Sequence, residues 1–216
     1  MRNSKGVNLK VKAYNQLKKM ILLRELKQGE KIFEKDLAEK MGMSRTPVRE
    51  ALLILEQEQF VENQDRLGFI VRRPTSKEIE DYFSIREMLE QSAAPLIVAN
   101  ITSEEIDTIE SNLASSESYY NAGDAENFIL SNGLFQELLF KATHSTLYYR
   151  MISNLSDITT LLRAMTQRNQ DAMLQSLEGH KEIVRVLKTG DTEAFKKSLE
   201  AHLNEFRDEM ARYILV

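Results

Sequence analysis

Apolar and polar positions alternate in two different ways along this chain. From Lys31 to Leu55 the sequence reads KIFEKDLAEKMGMSRTPVREALLIL, two short helical-period segments flanking Met41-Gly42-Met43. In the second segment Val48, Ala51, Leu52 and Leu55 recur at helical spacing and make one apolar stripe. Ser44 stands ahead of it where a hydroxyl suits an N-cap, and Pro47 falls in the first turn, where a missing N–H costs little. Arg45 and Arg49 lie four apart on another face, with Thr46 beside them. A short helix, a tight glycine turn and a second helix opening on two arginines predict a helix-turn-helix. Such a second helix enters the major groove N-terminus first. A preceding helix over about Val11 to Glu25 carries Tyr14, Leu17, Met20 and Ile21 on one side. Beyond Leu55 the pattern becomes strand-like, in Phe60 to Asn63 and again in Gly68 to Arg72. The polar turn Gln64 to Leu67 joins them into a two-stranded wing. Arg66 sits near its tip and Gly68 where backbone can approach closely. A charge cluster alone usually marks a solvated face, but here turn, cap, stripe and hairpin all agree on DNA binding.

After Arg73-Pro74-Thr75 the period is helical throughout. Pro74 breaks the strand pattern, and Thr75 and Glu78 have capping-box spacing. Helices are expected over Lys77 to about Asn100 with a kink at Pro95, and from a cap at Ser103 through Leu113. Others are expected over about Ala125 to Thr143, Thr146 to Arg168 and Gln170 to Lys188. A last one runs from beyond Gly190-Asp191 to about Tyr213. Six helices with short connections predict an antiparallel bundle. The fold class expected is therefore mainly α, with a winged helix-turn-helix in residues 1–74 and a helical bundle in 75–216.

Charge sharpens the division. The net charge is −4 over 216 residues. Residues 1–75 hold 16 Lys+Arg against 10 Asp+Glu, and residues 76–216 hold 13 against 23. Phosphate contacts need only local positive charge, so an acidic chain with a basic N-terminal part remains suited to DNA. The absence of cysteine excludes disulfides and thiolate metal sites. MRNSKGVNLK has no apolar signal core, and no apolar run is long enough to span a bilayer, so a cytoplasmic protein is expected.

The stretch LKQGEKIFEKDLAEKMGMSRTPVREALLILEQEQFV, followed by RLGFIV, resembles the winged-helix domain of GntR-type bacterial transcription regulators. The resemblance covers about Ala13 to Arg72 and is strongest in Leu37-Ala38 and Met43 to Leu52. Gln28 departs from it, where the family often has Pro. By motif position it implies DNA contacts from Lys35, Arg45, Thr46 and Arg49, with Arg66 and Gly68 at the wing. From about Lys77 to Arg212 the order and lengths of helices are similar to the six-helix FCD effector domain of the FadR branch. Its marks are Tyr82, Arg86, Leu89, Glu90, Ala93 and Ala94, then Phe135 to Ala142, then His180, Gly190, Asp191, Ala194 and His202.

In many FCD domains an Asp and a His four apart join two later histidines on a divalent metal. Here the later pair is kept as His180 and His202, but the first pair is Asn132 and Gln136. Amide oxygens bind metal weakly compared with carboxylate or imidazole. Two readings follow: hydrogen-bonding pocket residues without metal, which the residue set favours, or a weakly held Zn²⁺ or Ni²⁺ on the two histidines. No cofactor is obligatory in either. Arg86, Asn132, Gln136, His180 and His202 are the implied effector-binding set, with small organic acids the implied ligand class. Arg86 is equally readable as half of an ion pair with Glu90. Arg163 and Arg168 are further, less supported candidates, and His144 reads as a loop residue.

No phosphate loop, GxSxG or di-iron motif is present, so no catalytic residue and no enzyme activity is expected. The expected protein is a homodimeric regulator of a pseudo-palindromic double-stranded DNA operator, answering to a small-molecule effector and having no membrane partner. The alternative is a helical ligand-binding or adaptor protein with a vestigial DNA-binding half.

Overall fold

The computed structural model describes residues 3–64, 68–166 and 170–214. The chain divides into two compact units, Met1–Pro74 and Thr75–Val216.

In the first unit α1 (Asn3–Leu22) packs on α3 (Arg45–Gln57). Ala13, Leu17 and Ile21 of α1 and Val48, Ala51, Leu52 and Leu55 of α3 are all fully buried. Helix α1 stops three residues before the expected end. Arg24 turns left-handed (φ 54°), and the Leu26 N–H donates back to the Met20 carbonyl at 3.1 Å. Helix α2 (Glu34–Met41) closes on Gly42, whose φ of 63° lets its N–H reach the carbonyls of Ala38 and Glu39. Ser44 occupies the N-cap of α3 with extended backbone, but its side chain makes no capping hydrogen bond, contrary to expectation.

The wing holds one strand more than the pattern showed. Strand β1 (Lys31–Ile32) pairs antiparallel with β3 (Gly68–Val71), which pairs antiparallel with β2 (Val61–Gln64), in the order β1-β3-β2. Two residues are too few to display a period of two. Phe69 and Val71 face the core from β3.

The second unit contains six helices among the described residues: α4 (Ser76–Asn100), α5 (Ser103–Ala122), α6 (Ala125–Lys141), α7 (Thr146–Thr166), α8 (Gln170–Leu187) and α9 (Thr192–Ile214). The capping box at the start of α4 forms. The Glu78 N–H donates to Thr75 Oγ1 at 3.2 Å, and the Thr75 N–H donates to Glu78 Oε2 at 2.8 Å. Pro95 lies inside α4, which continues past it to Asn100. The cap of α5 is Thr102, boxed with Glu105, not Ser103. Helices α4 and α7 run antiparallel, tied by Tyr82 to Thr159 (2.8 Å) and Ser92 to Tyr148 (3.0 Å).

Candidate functional site

Two surfaces carry chemistry, one in each unit. On α3 the buried arc Pro47, Val48, Ala51, Leu52 and Leu55 leaves Arg45, Thr46, Arg49 and Glu50 on the opposite, exposed arc. Lys35 on α2 is also exposed, 3.8 Å from Glu39. Arg49 stands 3.6 Å from Glu34. Both pairs are long and solvated, so a phosphate or a base edge can displace the carboxylate at little cost. Gly68 opens β3 at φ 82°, a conformation that favours glycine. Arg66 lies outside the described residues, as does Arg168.

Within the bundle, polar side chains converge where the core should be apolar. His180 of α8 stacks on Phe135 of α6 (centroids 3.9 Å apart), and the His202 ring of α9 lies 4.5 Å from that of His180. Gln136 lines the same small cavity, of about 10 Å³, with both histidines, Arg86 and Glu90. Asn132, one turn earlier on α6, is fully buried and donates to Ser176 Oγ at 3.1 Å. Gln136 Nε2 donates to Glu90 Oε1 at 3.0 Å. Arg86 donates from Nε to the same Glu90 oxygen (2.7 Å) and from Nη1 to the Tyr82 hydroxyl (2.9 Å). The Arg86–Glu90 ion pair, one of the two readings of Arg86, is formed. Burial would lower the Arg86 pKa, but the Glu90 carboxylate and the Tyr82 hydroxyl outweigh it and raise it.

Neither ring nitrogen of His180 or His202 has a hydrogen-bond partner among the described residues. Burial holds both imidazoles well below the usual histidine range. Arg163 and Arg86 push them further down, and His202 adds to the effect on His180. Both are neutral at pH 7. His144 is an exposed turn residue at φ 53°, 3.0 Å from Glu105.

Two participants are not obvious from spacing. Gly179 of α8 lies against the His202 ring, and a Cβ there would collide with Nδ1. Arg163 of α7 is fully buried. Its signal is local: a lone cation inside Thr159 to Thr166, every residue of which is buried. A wider depression, of about 580 Å³, lies elsewhere between α4 and α9. Its one arginine, Arg207, is 3.0 Å from Glu87, and none of its lining atoms is buried without a partner.

A winged helix with an exposed arginine face, followed by a helical bundle enclosing a polar site, defines a transcription regulator. Residues 9–71 match the gntR family of bacterial regulatory proteins and residues 81–205 match the FCD domain. The HTH-type transcriptional regulator YdhC of Bacillus subtilis (strain 168) is 32% identical over 192 residues, covering 88% of this chain and 86% of its own. The HTH-type transcriptional regulator McbR of Escherichia coli (strain K12) is 31% identical over 151 residues, 70% of this chain and 68% of its own. The solved structure of E. coli McbR/YncC superposes with a TM-score of 0.74 at 25% identity, covering 94% of this chain and 97% of that one. A Rhodococcus regulator at 20% identity shares the fold, with a TM-score of 0.76 over 95% and 97% of the two chains. The chain belongs to the GntR family, in the branch that carries an FCD domain. It is a transcription regulator and not an enzyme.

FCD domains can bind metals, but the residues here do not fit one. Asn132 and Gln136 offer only neutral amide oxygens, weak ligands beside a carboxylate or an imidazole, and the one nearby carboxylate, Glu90, is held by Arg86. Two neutral imidazoles remain, beside two guanidinium groups whose field opposes a second cation. Among the described residues no group of three or more His, Cys, Asp or Glu is placed to hold an ion.

Proposed function

We propose that the protein is a cytoplasmic, homodimeric regulator that reads a pseudo-palindromic operator with α3 and the wing. A small organic acid bound in the bundle of residues 75–216 controls it. The observation that supports this best is the division of α3. Four side chains at its N-terminal half face solvent, Arg45 and Arg49 among them, while the opposite arc is the core of the unit. An arginine that forks onto a guanine edge contributes about 1–3 kcal/mol of discrimination. Lys35 carries a point charge and takes a phosphate or a single base contact.

The bundle supplies the ligand end. It encloses neutral imidazoles with unused donors and acceptors next to buried arginine. An effector there must favour one arrangement of the regulator over another to change DNA affinity. Footprinting on the promoter beside the protein's own gene supplies the operator. A gel shift on it then tests the reading. Arg49→Ala is expected to weaken binding by about 1–3 kcal/mol, roughly 5- to 150-fold. Unchanged affinity in both Arg45→Ala and Arg49→Ala would refute the assignment and favour an adaptor with a vestigial DNA-binding half.

A further inference from the structure

Among its described residues the bundle holds two buried arginines, Arg86 and Arg163, in unlike surroundings. Arg86 has a carboxylate and a phenol. The best partner of Arg163 is neutral: Nη1 reaches Ser176 Oγ at 3.3 Å. Among the described residues its buried Nε and Nη2 have no hydrogen-bond partner. Its guanidinium carbon lies 5.3 Å from the Phe206 ring centroid, a contact that weakly favours a cation. Two acids reach it only by their fields. Glu90 is already held by Arg86. Glu209 lines the outer groove and bonds Thr166. Burial, with Arg86 adding to it, pushes the Arg163 pKa down to about 10, so the group is still charged at neutral pH.

Charge at the site can be counted. Arg86 and Glu90 cancel, and His180 and His202 are neutral. Arg163 leaves one positive charge with no counter-ion in contact among the described residues. A buried unpaired cation is strongly unfavourable, and proteins keep one where an anion joins it. The Nε and Nη2 hydrogens form one edge of the guanidinium, and that edge matches the two oxygens of a carboxylate.

We propose that Arg163 is the anchor of the effector: its Nε–Nη2 edge takes the carboxylate of a small monoanionic acid. This rests on the bundle site being the effector site. A monoanion brings the pocket to neutrality, whereas a dianion leaves a negative charge buried. The imidazoles of His180 and His202 offer their unused nitrogens to a second polar group of the ligand. The ligand is small and enters by displacing side chains: the cavity around the two histidines is about 10 Å³, room for about one water, and so is a second one lined by Ser176, His202, Glu205 and Phe206, and Arg163 lines neither. The two share His202. The second also shares Ala172, Gln175 and Glu209 with an open groove of about 380 Å³, which marks the route from solvent.

The test uses the full chain in a thermal-shift titration with acetate, glycolate, succinate and acetamide, followed by calorimetric titration of the tightest acid. Acetate or glycolate is expected to raise the wild-type midpoint, and succinate and acetamide are not. Arg163→Met keeps the volume and removes the uncompensated charge. It is expected to melt no lower than wild type without ligand and to lose the ligand shift. Arg163→Lys keeps the charge without the fork and is expected to bind at least tenfold more weakly. An Arg163→Met protein that melts far below wild type, or Arg163→Lys binding as tightly as wild type, overturns the proposal by making Arg163 structural or interchangeable. If acetamide shifts the wild type and the acids do not, the effector site stands but the anchor falls. If no compound shifts it, the anchor falls as well.

Discussion

A glycine in the middle of a helix ordinarily weakens it, by roughly 0.5–1 kcal/mol relative to alanine. Gly179 inverts that expectation, because its missing Cβ is the space the His202 ring occupies. Gly179→Ala is therefore expected to lower the unfolding midpoint, not raise it, and to abolish ligand binding. A stabilised variant that still binds would show that the ring can move aside. The histidines predict a pH dependence. Their pKa values are lowered in the folded state and ordinary in the unfolded chain, so below the usual value of about 6.5 the unfolded chain binds more protons. Stability is thus full above that pH and lost as pH falls, by up to about 1.4 kcal/mol per pH unit for each histidine. Urea unfolding from pH 7 to 5 should show the decline, and His180→Gln/His202→Gln should flatten it. Glu209, whose pKa burial raises, is present in both proteins and cancels in the comparison. At this scale the sequence was half legible. Kept and departed family positions pointed to His180, His202, Asn132 and Gln136. The weight of Arg163 depends on what surrounds it, since a lone arginine in a helix reads the same with or without a counter-ion.

Helices were legible wherever a chemical boundary coincided with the period. Thr75 and Glu78 announce α4, and Gly123-Asp124 separates α5 from α6. The misses have the same physical origin, a side chain whose bonding is chosen by its neighbours. Thr102 and Ser103 are both capable caps, and Glu105 selects Thr102 by standing three residues on. Ser44 has no such reciprocal acid and leaves its hydroxyl out of the cap. These contrasts make a paired prediction. Thr75→Ala should cost about 1 kcal/mol, as the loss of a bonded N-cap does. Ser44→Ala should change the stability of the free protein by a few tenths at most, since no capping bond is lost. Equal losses in the two variants, measured by chemical denaturation, would contradict the assigned caps. Strand β1 escaped notice because its two residues owe their conformation to Phe69 and Ile70 across the ladder, a long-range cause that no local pattern records.

For the whole molecule the question is how one winged helix with the handful of basic contacts proposed for it would achieve specificity. A single such unit covers one half-site, and a two-fold protein matches a palindrome. The outer sides of the antiparallel pair α4 and α7 carry large apolar residues that the fold leaves open. Met88 is 65% exposed and Leu147 is 63%, with Ile85, Leu96 and Met151 also exposed. Exposed large apolar residues on two neighbouring helices are the surface that the proposed two-fold assembly would use. A second copy of the bundle is the occupant that the two-fold reading requires, and the net negative charge of residues 76–216 disfavours DNA there. Met88→Glu together with Met151→Glu places like charges across that contact while sparing every buried residue. The double variant is expected to sediment as a monomer at concentrations where the wild type is dimeric. It should bind the full operator at least tenfold more weakly while keeping the wild-type preference for its half-site. A variant that remains dimeric moves the interface to another face of the bundle. One that is monomeric with full operator affinity would mean that each winged helix acts alone.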